Sequence, residues 1–199
     1  MSPRLGERRC CGDPQRMAAA YLGSQARIIQ VPGQRDIEAR VVRVSGDDQT
    51  RARAAIDSAA DIPDVRKILV FVNSRRQVDS AANHFQHGAF AKVPVYGHHG
   101  SLSRHERERV EEQFRQDTRA ICVATMTLEV GIDIGDVDLV VCMDPPFSLS
   151  SFLQRIGRGC RRLQGKTRVI CVARDVASEI IFEAFIHQAR LGMPLSPKI

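Results

Sequence analysis

Apolar positions along the chain fall into two regimes. From residue 61 onward, short continuous apolar runs alternate with stretches of helical period; before it, the pattern is looser. Ile68–Val72 is apolar throughout, rich in β-branched residues and too short for a helix, so it predicts a strand covered on both faces. Val93–His99, Ala120–Ala124, Val137–Met143 and Arg168–Ala173 predict four more. Between them, Val78, Ala81, Ala82 and Phe85 recur at i, i+3, i+4, i+7, and Val110 and Phe114 mark a second helix face. Ser74 with Gln77, Ser103 with Glu106 and Ser151 with Gln154 have capping-box spacing. Asp175 is positioned to cap a last helix, with Ile180, Ile181, Phe185 and Ile186 as its apolar face.

Strand–helix alternation with doubly buried strands predicts an α/β fold: a doubly wound parallel sheet of about five to six strands with helices on both faces. Residues before 13 read as a disordered tail. The stretch 13–60 predicts a short helix (Asp13 to Leu22), two strands (Arg27–Val31 and Ile37–Val44) and a helix (Arg51 to Ala60). It is read as a segment separate from the main unit at 61–199.

Ligands of such sheets bind beyond the C-terminal strand ends. Here those ends are Asn73-Ser74-Arg75, His98-His99-Gly100-Ser101, Thr125-Met126-Thr127 and Asp144-Pro145-Pro146, all more polar than the strands feeding them. His98 and His99 lack a third metal ligand and read as an inert or hydrogen-bonded pair. The charged helix after Ser103 reads as a solvated face laced with pairs such as Glu111–Arg115.

Charge sharpens this picture. The net charge is +6, yet residues 145–174 alone hold seven basic residues and no acid. Arg155, Arg158, Arg161 and Arg162 crowd into eight positions, and like charges so close repel unless an anion holds them. Only four of the 29 basic residues are lysine; guanidinium suits phosphate, although GC-rich coding DNA would give the same bias. The six cysteines include no pair at metal-ligand spacing, and Cys122, Cys142 and Cys171 sit in apolar runs as reduced core residues. No apolar run approaches a membrane span, and a cytoplasmic protein is expected.

Together these strand ends resemble the second, RecA-like motor lobe of superfamily-2 helicases, in particular the large helicase-related (Lhr-like) group. Residues 68–74 resemble the family's motif IV. His99-Gly100-Ser101-Leu102-Ser103, followed by Arg107 and Glu111, resembles the segment after it. Ala124-Thr125 with Leu128-Glu129-Val130-Gly131-Ile132-Asp133-Ile134 resembles motif V, and Gln154-Arg155-Ile156-Gly157-Arg158 resembles motif VI. Gly12-Asp13-Pro14 to Leu22-Gly23 is similar to the tail of the first lobe in Lhr-like proteins, so 13–60 is expected to be that tail and a linker.

The resemblance implies roles. Arg158 and Arg161 would be arginine fingers reaching the γ-phosphate of ATP. Gly131, Asp133 and Gln154 would meet the nucleotide, and Ser74, Arg75, Gly100 and Thr125 the backbone of a bound strand. Arg155 and Arg162 read as surface charge. Cys160 stands where the family usually has glycine between the fingers, which puts Arg161 in doubt more than Arg158.

The only candidate phosphate loop, Gly165-Lys166-Thr167, has the wrong glycine spacing and precedes a strand instead of a helix; no D-E-x-[HD] string occurs. The chain is therefore expected to be half of a motor, inactive alone. ATP and Mg²⁺ would need the missing N-terminal lobe, which is expected to precede residue 13. Expected partners are that lobe and single-stranded or partly duplex DNA, with RNA as the alternative; no membrane is involved and the chain is monomeric. A stand-alone nucleic-acid-binding or regulatory module stays open as the second reading.

Overall fold

Four strands are apolar at consecutive positions because both of their faces are covered. In the computed structural model, which describes residues 36–86, 90–129, 134–159 and 166–191, these are β2 (Lys67–Phe71), β4 (Ala120–Ala124), β5 (Leu139–Cys142) and β6 (Thr167–Ala173). The half-exposed strands β1 (Ile37–Arg43) and β3 (Val95–His98) close the edges. All six form one parallel sheet in the order β1-β6-β5-β2-β4-β3.

Among the described residues, five α-helices cover it. α1 (Asp48–Ala60) and α2 (Arg75–Phe85) bury Ala52, Ala55, Ile56, Val78 and Phe85 against one face. α3 (Arg104–Gln116), α4 (Leu149–Ile156) and α5 (Val176–Arg190) bury Phe114, Phe152, Phe182 and Ile186 against the other. The doubly wound α/β architecture, a parallel sheet with helices on both faces, is thus as expected.

The capping boxes at Ser74 and Ser103 form as the spacing predicts. Ser103 Oγ accepts from the Glu106 N–H while Glu106 reaches back to the Ser103 N–H. Ser103→Ala is expected to cost about 1 kcal/mol, read from the urea midpoint of unfolding.

Three expectations change. The boundary at residue 60 is no break in the fold. β1 pairs with β6 along seven residues and α1 is part of the core, because an otherwise open β6 edge and an apolar sheet face need covering. The arginine-bearing helix starts earlier than Ser151: its cap is Ser148, whose hydroxyl accepts from the Ser151 N–H. On α5, Ile186 is buried and Phe185 packs against the core as expected, but Ile180 and Ile181 are exposed, and Phe182 and Ala189 turn inward in their place. Arg27–Val31 and the helix from Asp13 lie outside the described residues.

Cys122, Cys142 and Cys171 are free and buried, as expected of reduced core residues. Burial pushes the Cys122 thiol up to about 12, which makes it inert. Among the described residues, no helix is long and apolar enough to cross a membrane.

Candidate nucleotide and nucleic-acid face

The C-terminal ends of neighbouring β2, β4 and β3 bring the expected strand-contacting residues to one rim. Ser74 caps α2, so its hydroxyl is engaged with the Gln77 N–H and side chain. Arg75 is exposed and donates to Ser101 Oγ at 3.1 Å, tying the start of α2 to the loop after β3. Gly100 in that loop is exposed, and a methyl group there would sit 3.7 Å from the Thr127 methyl. Thr125 follows β4, half-buried, with its N–H donating to the His98 carbonyl. Ser74, Arg75, Gly100 and Thr125 therefore share a surface.

Beside this rim lies a buried ion network that ties the stretch after β4 to α4. Glu129 and Arg155 are almost completely buried, and Arg155 Nε donates to Glu129 Oε1 at 2.8 Å. Ser151 Oγ donates to the same carboxylate oxygen, Arg155 Nη2 donates to Asn73 Oδ1, and the guanidinium lies 5.2 Å from the centre of the Phe71 ring. Arg158 is buried as well, donating from Nη2 to the Glu129 carbonyl at 2.7 Å. Gly157 makes the turn between the two arginines possible: a Cβ there would meet the Leu153 carbonyl oxygen at 2.9 Å. Gln154 is half-buried on the same helix, which carries no carboxylate.

A second buried cluster fixes the turn after β5. Asp144 accepts from Arg51 at 2.7 Å and bidentately from Arg174 at 2.9 and 2.7 Å. Arg51, itself buried, also donates to the carbonyls of Met143 and Val172, holding α1 on the ends of β5 and β6.

His98, at the end of β3, is fully buried between Glu111 and Thr127. Burial lowers its pKa from the ordinary value of 6.5, against the opposing pull of Glu111. The unfolded chain therefore takes up a proton near pH 6.5 that the folded chain resists. Stability present above that pH is expected to fall as pH drops below it, down to the lower native pKa. Urea unfolding between pH 8 and 5 checks this, and His98→Gln should flatten that part of the profile.

Of the residues singled out in the sequence, Gly131, Asp133, Cys160, Arg161 and Arg162 lie outside the described residues. Arg155 overturns its reading as surface charge: it is a core ion, because α4 turns this position onto Glu129 and Phe71. Glu111 pairs with His98 and not with Arg115, which bonds Glu112 instead. Arg51, Glu129 and Asp144 were missed as buried ions, since local sequence does not reveal partners 26 to 93 positions away. The one available signal was Glu129 itself, a lone acid on an apolar stretch. Among the described residues, no group of three His, Cys, Asp or Glu side chains could hold a metal ion.

Comparison with known proteins bears on this face. Residues 50–163 match the family "Helicase conserved C-terminal domain". The chain is 34% identical over 131 residues, 66% of its length, to the ATP-dependent helicase Lhr-Core of Methanocaldococcus jannaschii, of which it spans 15%. It is 32% identical over 92% of its length to the pre-mRNA-splicing ATP-dependent RNA helicase prp28 of Aspergillus clavatus, of which it spans 21%. Among solved structures, the Mycobacterium smegmatis helicase Lhr bound to ssDNA and AMP-PNP superposes with a TM-score of 0.77 at 24% identity. That match covers 95% of this chain and 26% of the other. The chain thus corresponds to a minor part of each of these relatives.

Proposed function

The chain belongs to the helicase conserved C-terminal domain family, as an Lhr-like second lobe of superfamily-2 helicases, and we propose that it is the C-terminal motor lobe of an ATP-dependent helicase or translocase. It works with an N-terminal lobe that carries the phosphate loop and the Mg²⁺ ligands. The observation that carries this reading is the joint attachment of Arg155 and Arg158 to Glu129, which couples the stretch after β4 to the arginine-rich helix. A module that only bound nucleic acid would not need a buried ion pair to aim Arg158.

The donor chemistry fits an anionic nucleotide. Gln154 lies in the last turn of α4 and Arg158 just beyond its C-cap Gly157; both side chains carry N–H donors, and α4 itself bears no carboxylate. Bound ATP with Mg²⁺ supplies the phosphoryl group whose transfer develops charge on its oxygens. This chain's share is to hold Arg158, with Arg161, where a planar guanidinium can stabilise that charge. Gly131 and Asp133 complete the nucleotide side. Ser74, Arg75, Gly100 and Thr125 hold the backbone of single-stranded or partly duplex DNA, or of RNA, without reading its bases. We place the activity in the cytoplasm and the chain as a monomer within its motor.

Joining the chain to a first lobe that bears a phosphate loop and a D-E-x-[HD] string tests this. ATP hydrolysis stimulated by a single strand is expected from the joined protein, and no appreciable hydrolysis from the 199-residue chain. Salt-dependent strand binding indifferent to ATP and to the added lobe would favour the binding-module reading instead.

A further inference from the structure

His98 is a buried ionisable group with no part in the nucleotide chemistry above, and it touches three elements at once. Its Nε2 lies 2.8 Å from Glu111 Oε1 on α3, and its Nδ1 lies 2.9 Å from Thr127 Oγ1 in the short turn Met126–Leu128 after β4. Its carbonyl accepts the Thr125 N–H at 3.1 Å. Thr127 Oγ1 in turn stands 3.4 Å from Thr125 Oγ1. We propose that His98 is a positioning residue of the strand-contacting face, the Glu111–His98–Thr127 chain setting the direction in which Thr127 and Thr125 donate their hydroxyl protons. This rests on the reading of Thr125 as a strand contact.

The direction follows from what each group can do. An ionised carboxylate only accepts, so the proton of a neutral His98 sits on Nε2. Nδ1 must then accept, and Thr127 is the donor facing it. With its proton turned toward His98, Thr127 Oγ1 can only accept from Thr125. The Thr127 proton is then committed to His98, and a bond between the two threonines must use the Thr125 proton, in competition with a strand phosphate that accepts and never donates. When His98 is protonated, both ring nitrogens donate. Thr127 Oγ1 now accepts from Nδ1, and its proton is released toward Thr125 or the strand.

Protonation of His98 thus frees one hydroxyl proton for this part of the face and removes the competition for the Thr125 proton. The charged and titratable groups facing the ring are Glu111 and Arg107 from α3 and the adjacent His99, with Arg107 and His99 opposing protonation and Glu111 favouring it. Burial is the largest influence and disfavours the protonated ring. A phosphate arriving at Thr125 favours the donor state, so strand binding and proton uptake are linked and each promotes the other.

The test is the affinity of the 199-residue chain for a fluorescently labelled 20-nucleotide oligothymidylate, and for the matching oligouridylate, at low ionic strength between pH 8 and 5.5. The native chain is expected to tighten by about threefold to tenfold more over this range than His98→Gln or Thr127→Val. His98→Gln keeps an amide N–H for Glu111 but cannot titrate; Thr127→Val keeps the shape and loses the hydroxyl, which guards against a His98 variant that fails to fold. Circular dichroism melting establishes that each variant is folded at the pH of measurement. Loss of affinity in Thr125→Val together with an unchanged pH slope in folded Thr127→Val would overturn the role of His98 alone. Absence of strand binding, or Thr125→Val binding like the native chain, would overturn the strand-contact reading and this inference with it.

Discussion

If Arg158 is the proposed finger, replacing it by alanine in a protein that joins this chain to a first lobe bearing a phosphate loop is expected to lower ATP hydrolysis by about 10³-fold or more. The argument is electrostatic. Charge spreads over the phosphoryl oxygens as the bond to the leaving group loosens, and a guanidinium already in place stabilises it without reorganisation. On the proposed reading Glu129 would supply that preorganisation, since its carbonyl holds Arg158 at 2.7 Å while its carboxylate anchors Arg155 three positions earlier. Lysine at position 158 should rescue little, because an ammonium lacks the planar fork. Steady-state hydrolysis at saturating strand, with a melting curve as control, measures the effect. The melting curve separates the folding cost of losing this buried guanidinium and its bond to the Glu129 carbonyl from the loss of activity. Activity within a few-fold of native would remove Arg158 from the chemistry.

The largest effect on stability is expected at Arg155. Arg155→Ala leaves Glu129 buried without its counter-ion, and breaking a buried pair from one side costs roughly 3–5 kcal/mol. For a domain of this size that lowers the melting temperature by on the order of 10 °C. Glu129→Ala strands the guanidinium instead and should cost about as much. The double variant Glu129→Leu with Arg155→Met should recover much of the loss, since apolar side chains of similar volume can replace a buried pair at little cost. Urea unfolding of the three variants checks this. If both single variants fell within about 1 kcal/mol of native, the pair would not be what holds α4 to the sheet.

The strands and caps were legible before any coordinates because they are encoded locally. β2, β4, β5 and β6 announce themselves as apolar runs that only a sheet covered on both faces can bury, and Ser74–Gln77 and Ser103–Glu106 close their boxes within four residues. The order of the polar strand ends was enough to suggest the helicase likeness. Misreadings arose where two explanations shared one local pattern. Glu111 could pair with Arg115 on its own helix or with a residue beyond it, and only the packing of α3 on β3 chose His98. Ile180 and Ile181 are as apolar as Phe182, and the angle at which α5 lies on the sheet decided that Phe182, beside the expected Ile186, is buried and they are not.

What the sequence determined by itself, then, is the alternation of strands and helices and the residue types gathered at the strand ends, since burial period and capping are properties of neighbours in the chain. What only the tertiary structure decided is the fate of the charges. Arg51, Arg155 and Asp144 look like surface ions one at a time, and become core residues because partners 26 and 93 positions away satisfy their hydrogen bonds. It also decided that β1 and α1 belong to this lobe, because an open strand edge and an apolar face must be covered by whatever segment the fold brings to them.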